Sequence, residues 1–171
     1  YWAYADYEDC MNLVEYMIRE TAEQVNALKI KWGDFEIDLS KKFERKSFYE
    51  LIESVTGYSI NDIDENKLRV ICKEKNIEIQ DDAKFGQMLD ELMSEIIEPN
   101  LIQPTFIIDY PKIISPLAKT HRNGNRNLVE RFELFIGGTE FANSFTELND
   151  PIDQRQRFEG QAKLRELGDQ E

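Results

Sequence analysis

Apolar residues change their period several times along the chain, and those changes divide it into elements. Cys10, Leu13, Val14, Met17, Ile18, Thr21 and Val25 recur at helical spacing and predict an amphipathic helix to about residue 27, capped by Asp6 or Asp9. Before it, the aromatic run Tyr1-Trp2-Ala3-Tyr4 predicts a strand stub over residues 1–5. Ile30, Trp32, Phe35, Ile37 and Leu39 alternate about Gly33-Asp34, a hairpin signal. Phe48, Leu51, Ile52 and Val55 return to helical spacing, with Ser47 and Glu50 as a capping box and Gly57 as the stop.

Residues 58–103 read as helical. Leu68, Ile71 and Cys72 mark one helix between Asn61 and Asn76. A second starts at Asp81-Asp82, carries Phe85, Met88, Leu89, Leu92 and Ile96, and ends near Pro99. Nothing in this stretch resembles a reactive site, so it reads as an inserted helical layer whose main task is packing. From Pro104 the texture becomes β-rich. Thr105 to Tyr110 predicts a strand stopped by Pro111, and Ile113 to Leu117 continues extended ahead of Pro116. His121 to Asn127 is a polar, turn-rich loop, which predicts a mobile segment with His121 exposed. Val129 to Leu148 predicts a long hairpin turning at Gly137-Gly138, and a last helix runs from Pro151 to about Leu167, ended by Gly168. Helices and strands alternate over a length that suits one ordinary domain.

Composition narrows the chemistry. With 171 residues, 41% of them hydrophobic, the chain can bury a real core. Its 21 basic and 34 acidic residues give a net charge of −13, which repels phosphate backbones and makes a poor stand-alone nucleic-acid binder. The same charge could suit a cationic ligand or a magnesium ion, or serve solubility alone. The apolar runs are too short to span a bilayer and no signal peptide is visible, so no membrane contact is expected, and the sparse cysteines read as a cytoplasmic, reduced chain. Two cysteines without metal spacing argue against a disulfide framework and a zinc knuckle, and a single histidine rules out His-based zinc motifs. Carboxylates and amides must carry most of any chemistry. The start at Tyr1 rather than Met, inside an expected strand, predicts a piece of a longer protein.

The hairpin ERFELFIGGTEFANSFTELND, residues 130–150, is the informative segment. A two-residue turn at Gly137-Gly138 would set Ile136 opposite Thr139, Phe135 opposite Glu140, Leu134 opposite Phe141 and Glu133 opposite Ala142. Glu133 and Glu140 then share a face roughly 5–8 Å apart, able to share a divalent ion and repelling each other without one. Two unrelated glutamates on a solvated face would give the same pattern, although large apolar neighbours argue against full solvation. Asn143, Phe145 and Glu147 alternate along the next strand. An amide, an aromatic wall and a carboxylate could clamp an amino acid with a cationic tail. A partly buried strand whose Asn and Glu are satisfied by neighbours is the alternative. Glu140 and Asn143 have opposite parity, so one pocket holding both requires a bulge between residues 140 and 143.

These residues also resemble a known family. ERFELFIGGTEFANSFTELNDPIDQRQRFEGQ is similar to the active-site hairpin and following helix of class II lysyl-tRNA synthetases. PTFIIDYPKIISPLAK, residues 104–119, resembles the segment before that hairpin, and YWAYADYEDCMNLVE, residues 1–15, the end of the motif 2 strand with its helix. The resemblance covers essentially the whole chain, loosely over residues 47–100. It implies an α+β fold, an antiparallel sheet flanked by helices, as a partial class II catalytic domain over residues 1–171 with residues 58–103 as a helical insertion. It further implies that lysine and ATP, with Mg2+ as cofactor, form lysyl-adenylate before transfer to tRNA(Lys), in a full-length homodimer. By that likeness Glu133 and Glu140 hold magnesium, and Asn143 meets the α-carboxylate end of lysine. Phe145 walls the aliphatic chain, and Glu147 with the hydroxyl of Tyr1 takes the ε-ammonium. No protein nucleophile or general base is implied, so no residue is assigned as catalytic.

The family's motif 2 arginine, glycine-rich motif 3, motif 1 and N-terminal OB-fold have no counterpart here, so these residues alone are expected to be inactive. Lys41-Lys42 and Arg45-Lys46 are the basic spots that could meet tRNA. A paralogue that attaches lysine to a translation elongation factor has a similar hairpin, but SPLAK at 115–119 and the helical stretch favour the synthetase. A non-catalytic, synthetase-derived interaction module is the other alternative.

Overall fold

A computed structural model describes the backbone of residues 1–166 and side chains to residue 163; the expected stop at Gly168 lies outside the described residues. Helix α1 (Tyr7–Gln24) uses both candidate caps together. The Asp6 carboxylate accepts the Glu8 and Asp9 amides at 2.9 and 3.2 Å, while Asp9 accepts the Asp6 amide at 3.0 Å. Its buried line is Tyr7, Met11, Glu15 and Ala22, with Leu13, Met17 and Val25 exposed, so the inward face is rotated from the expected stripe. Glu15 explains the shift. Its buried carboxylate accepts the Phe43 amide at 3.1 Å and lies 3.5 Å from the Arg45 guanidinium, a polar core position that apolar spacing overlooks. Residues 1–5 form no strand: the chain turns at Ala3-Tyr4, and a positive φ of 62° at Tyr4 breaks the extended path.

Strands β1 (Lys29–Trp32) and β2 (Phe35–Asp38) form the expected hairpin about Gly33-Asp34. Strand β3 (Glu44–Ser47) leads directly into α2 (Phe48–Thr56), which ends at Gly57 with φ 75°. Ser47 occupies the N-cap, but its hydroxyl makes no capping bond, so the expected capping box is not formed. Helix α3 (Glu65–Glu74) is capped by Asp64, which accepts the Lys67 amide at 2.8 Å. Helix α4 (Phe85–Leu92) starts later than Asp81, where Gln87 Oε1 accepts the Lys84 amide at 2.8 Å. It runs on through a π turn at Met93–Ile97 and a 3-10 turn at Glu98–Asn100.

Strands β4 (Thr105–Ile108), β7 (Arg131–Ile136) and β8 (Thr139–Phe145) join β3 in a four-stranded sheet ordered β3-β4-β7-β8. Two-residue strands β5 (Tyr110–Pro111) and β6 (Leu128–Val129) pair beside it. The sheet is mixed rather than wholly antiparallel: β3 and β4 run parallel, because α2, α3 and α4 form the crossover between them. The segment after β5 is not extended as expected but makes a 3-10 turn at Lys112–Ile114; Pro116 restrains only its neighbour Ser115. Helix α5 (Pro151–Glu166) closes the described structure.

Alternation along β7 separates two cores. Phe132, Leu134 and Ile136 pack with Tyr7 and Met11 of α1, while Phe135 joins Phe48, Leu68, Met88 and Leu92 of the helical layer. Arg131 and Glu133 share the parity of Phe135 and therefore face the helical layer. Among the described residues no helix is long and apolar enough to cross a membrane.

Candidate functional site

The site is organised by one extra residue. Phe135 pairs with Glu140, but Leu134 pairs with Ala142 and Glu133 with Asn143, so Phe141 is a bulge. The bulge falls in the expected interval and corrects the expected register beyond it. It also removes the parity conflict, because Glu140, Asn143 and Phe145 now share the face that carries Arg131 and Glu133. The turn itself needs glycine: Gly137 and Gly138 have φ 61° and 73°, and a Cβ on Gly137 would stand 2.6 Å from Trp32 Cδ1.

On that face the side chains form a connected set. Asn143 Nδ2 donates to Glu133 Oε1 at 3.0 Å, and Arg131 Nε donates to Asn143 Oδ1 at 3.3 Å. Arg131 Nη2 donates to the same Glu133 Oε1, and Tyr110 donates its hydroxyl to Glu133 Oε2 at 2.7 Å. Burial and the Glu133 charge raise the Tyr110 pKa well above its ordinary value, so the phenol keeps the proton it donates. Arg131 lies 4.6 Å over the Tyr110 ring and donates to Ile114 O at 3.0 Å and Ser115 Oγ at 2.8 Å. That segment is pinned in turn by the buried Arg157, which donates to Ala118 O at 2.7 Å and pairs with Asp153 at 2.7 Å.

The helical layer is more than packing. A polar pocket of about 340 Å3 lies between it and the hairpin, lined by Asp90, Ser94 and Glu98 on one side and Tyr110, Arg131, Glu133 and Glu140 on the other. Burial, then the charges of Glu133, Glu140 and Asp90, push Glu98 up to about 7. Burial and Glu133 also raise Glu140, against a hydrogen bond from Asn143 and the charge of Arg131. Glu98 reaches the site because the hairpin turn docks on its neighbours: Gly137 and Gly138 donate their amides to Ile102 O and Leu101 O at 2.9 and 3.1 Å. No sequence signal marks Glu98: the π turn before it is a feature that recurs at functional sites, but apolar periodicity does not reveal one. Arg131 could have been found from its i, i+2 relation to Glu133.

The remaining candidates are placed differently. Phe145 is half-buried against the helical-layer core. Glu147 is exposed and bridges Ala118, and Tyr1 is fully exposed at the other end of the chain. His121 is not exposed as expected, with only 12% of its side chain accessible. Its Nδ1 accepts the Asn123 amide at 3.1 Å, while Nε2 faces the Tyr7 hydroxyl at 3.2 Å and Asp109 at 3.5 Å. Three of the four residues in the basic spots meet acids of this chain: Lys41 lies 3.6 Å from Asp38, Arg45 3.5 Å from Glu15, and Lys46 2.9 Å from Glu44.

Glu133 and Glu140 offer hard oxygen donors on one face; Glu133 Oε1 already accepts from Arg131 and Asn143 and Oε2 from Tyr110, which leaves lone-pair room on Oε2 and on Glu140. No cluster of three or more metal-ligating side chains is found among the described residues. A two-carboxylate set fits magnesium, which is commonly held by one or two carboxylates together with substrate phosphates.

Residues 1–170 match the family described as tRNA synthetases class II (D, K and N), and the chain belongs to that family. It is 48% identical over 175 residues to a lysine–tRNA ligase of Staphylococcus epidermidis, covering 100% of this chain and 35% of that protein. It is 45% identical to the lysine–tRNA ligase of Porphyromonas gingivalis and 44% identical to that of Azobacteroides pseudotrichonymphae, each over the whole chain and 30% and 34% of the relative. The chain thus spans about a third of the length of the curated relatives it matches.

Proposed function

We propose that this chain is the lysine-activating part of a lysine–tRNA ligase, in which residues 1–171 form part of the class II catalytic domain and 58–103 an insertion within it. In the full-length protein a lysine carboxylate oxygen bonds to the α-phosphorus of ATP and the bond to the β-phosphate oxygen breaks, releasing pyrophosphate. The lysyl group of the adenylate then passes to tRNA(Lys). The carrying observation is the bulge at Phe141, which sets Glu133, Glu140 and Asn143 on one face, in a chain 44–48% identical to lysine–tRNA ligases.

Asn143 engages the α-carboxylate end of lysine, Phe145 covers its methylenes, and Glu147 with the Tyr1 hydroxyl binds the ε-ammonium. Glu133 and Glu140 would hold magnesium, which when bound neutralises charge on the ATP phosphates. The protein works by alignment and electrostatics, without a nucleophile or general base of its own. The full-length protein acts as a cytoplasmic homodimer, and the 171 residues alone are inactive.

The test is ATP–pyrophosphate exchange by the full-length protein with lysine, aspartate or asparagine as the only amino acid. Exchange with lysine alone supports the reading. Exchange with aspartate or asparagine instead, or with none of the three, overturns it.

A further inference from the structure

We infer that Arg131 is a positioning residue that fixes which end of the Asn143 amide meets lysine, so that recognition of the α-carboxylate depends on a guanidinium that need not touch it. This rests on the lysine-activating reading proposed above.

An amide side chain presents a donor or an acceptor depending on a half-turn of its last bond. Three neighbours decide the matter for Asn143. Arg131 Nε has only a hydrogen to offer and donates to Oδ1 at 3.3 Å. Glu133 Oε1 accepts from Nδ2 at 3.0 Å, and the same amide nitrogen also donates to the Glu140 carboxylate, so Arg131 is the neighbour that holds the Oδ1 side. Reversing the amide would set Nδ2 against a guanidinium N–H and Oδ1 against a carboxylate, two repulsions in place of two hydrogen bonds. Arg131 itself has little freedom. Its side chain is 18% exposed, Nη1 donates to Ile114 O and Ser115 Oγ, and the guanidinium lies 4.6 Å over the Tyr110 ring. Tyr110 also donates to Glu133 Oε2 at 2.7 Å, holding the carboxylate that reads the Nδ2 side. Asn143 therefore meets an anionic lysine carboxylate as a donor.

A lysine side chain at position 131 keeps the charge but lacks the planar fork that reaches Asn143, Glu133 and the Ile114–Ser115 backbone together. The experiment is a double-mutant cycle in the full-length protein, reading the lysine KM in ATP–pyrophosphate exchange and the lysine Kd by calorimetry without ATP. Arg131→Lys is expected to raise both by about tenfold. On an Asn143→Ala background the same substitution is expected to add nothing, because no amide remains to orient. Ser115→Ala, which removes one anchor of Arg131 and leaves Glu133 and Asn143 intact, is expected to raise the lysine KM by about threefold. It carries the same cycle should Arg131→Lys not fold.

Equal effects of Arg131→Lys in the two backgrounds would overturn the inference, as would a lysine Kd that does not move. A wild-type protein that exchanges with another amino acid overturns the functional reading and this inference with it. Wild-type exchange with lysine beside an additive cycle overturns the inference alone.

Discussion

Asn143 stands directly opposite Glu133 across the β7–β8 hairpin, its amide 3.0 Å from the carboxylate, because Phe141 is one residue more than the ladder can pair. Without an extra residue Asn143 would fall on the face that carries Leu134 and α1. Asn143→Ala is expected to raise the lysine KM of the full-length protein by about tenfold, for loss of a hydrogen bond to a charged group, with little change in melting temperature. Steady-state exchange kinetics beside a thermal melt check both halves of that expectation.

Glu98 supplies a pH signature. In the folded protein it titrates at about 7, against an ordinary value of 4.5, through burial and then its acidic neighbours. The folded state therefore holds a proton that the unfolded chain releases at lower pH. Stability from this group is fully present below about 4.5 and is lost as pH rises through about 7. Glu98→Gln removes the charge and keeps the shape. Without ATP or magnesium, it is expected to raise the melting temperature at pH 8 by about 2–4 °C and to leave it unchanged near pH 4.5.

Asp153 has the opposite sign. Hydrogen bonds from Arg157, and more weakly Lys112, hold it well below the usual carboxylate range against some burial. Its contribution is present above its ordinary pKa of 3.8 and lost as pH falls below that. Asp153→Asn leaves a buried guanidinium without its anion. It is expected to cost about 2 kcal/mol at pH 7, with the difference shrinking in acid, as denaturant melts at several pH values would report.

The hairpin turn gives a steric prediction. Gly137→Ala adds a Cβ 2.6 Å from Trp32 Cδ1 at a residue with φ 61°. The backbone term alone is about 1–2 kcal/mol, and the indole must also move. Trp32→Ala in the same chain is expected to relieve the steric part and leave the backbone part, which a double-mutant stability cycle separates.

Much of this arrangement was legible in local signals. The glycine turn, the Glu133/Glu140 pair and the parity conflict at Asn143 together required a bulge, and one is present. Which residue bulges was not legible. Packing decides it: Ala142 is small enough for the α1 core, while Phe141 is half-exposed with its ring 6.3 Å from Trp32. Glu98 was missed because its place depends on a π turn and on a crossover that joins parallel strands, both non-local. His121 was misplaced for the same kind of reason, since its partners Tyr7 and Asp109 come from distant segments. The rotation of α1 traces to Glu15, a polar residue buried by an amide and a guanidinium that no hydrophobic period encodes.

The central claim is that the bulged face is where magnesium, ATP and lysine meet. The most direct test is the Mg2+ dependence of lysine-dependent ATP–pyrophosphate exchange by the full-length protein, wild type beside Glu140→Gln. The account predicts that Glu140→Gln raises the half-saturating Mg2+ concentration by about tenfold or more while the lysine KM stays nearly unchanged. An unaltered Mg2+ dependence, with wild-type exchange intact, would contradict it.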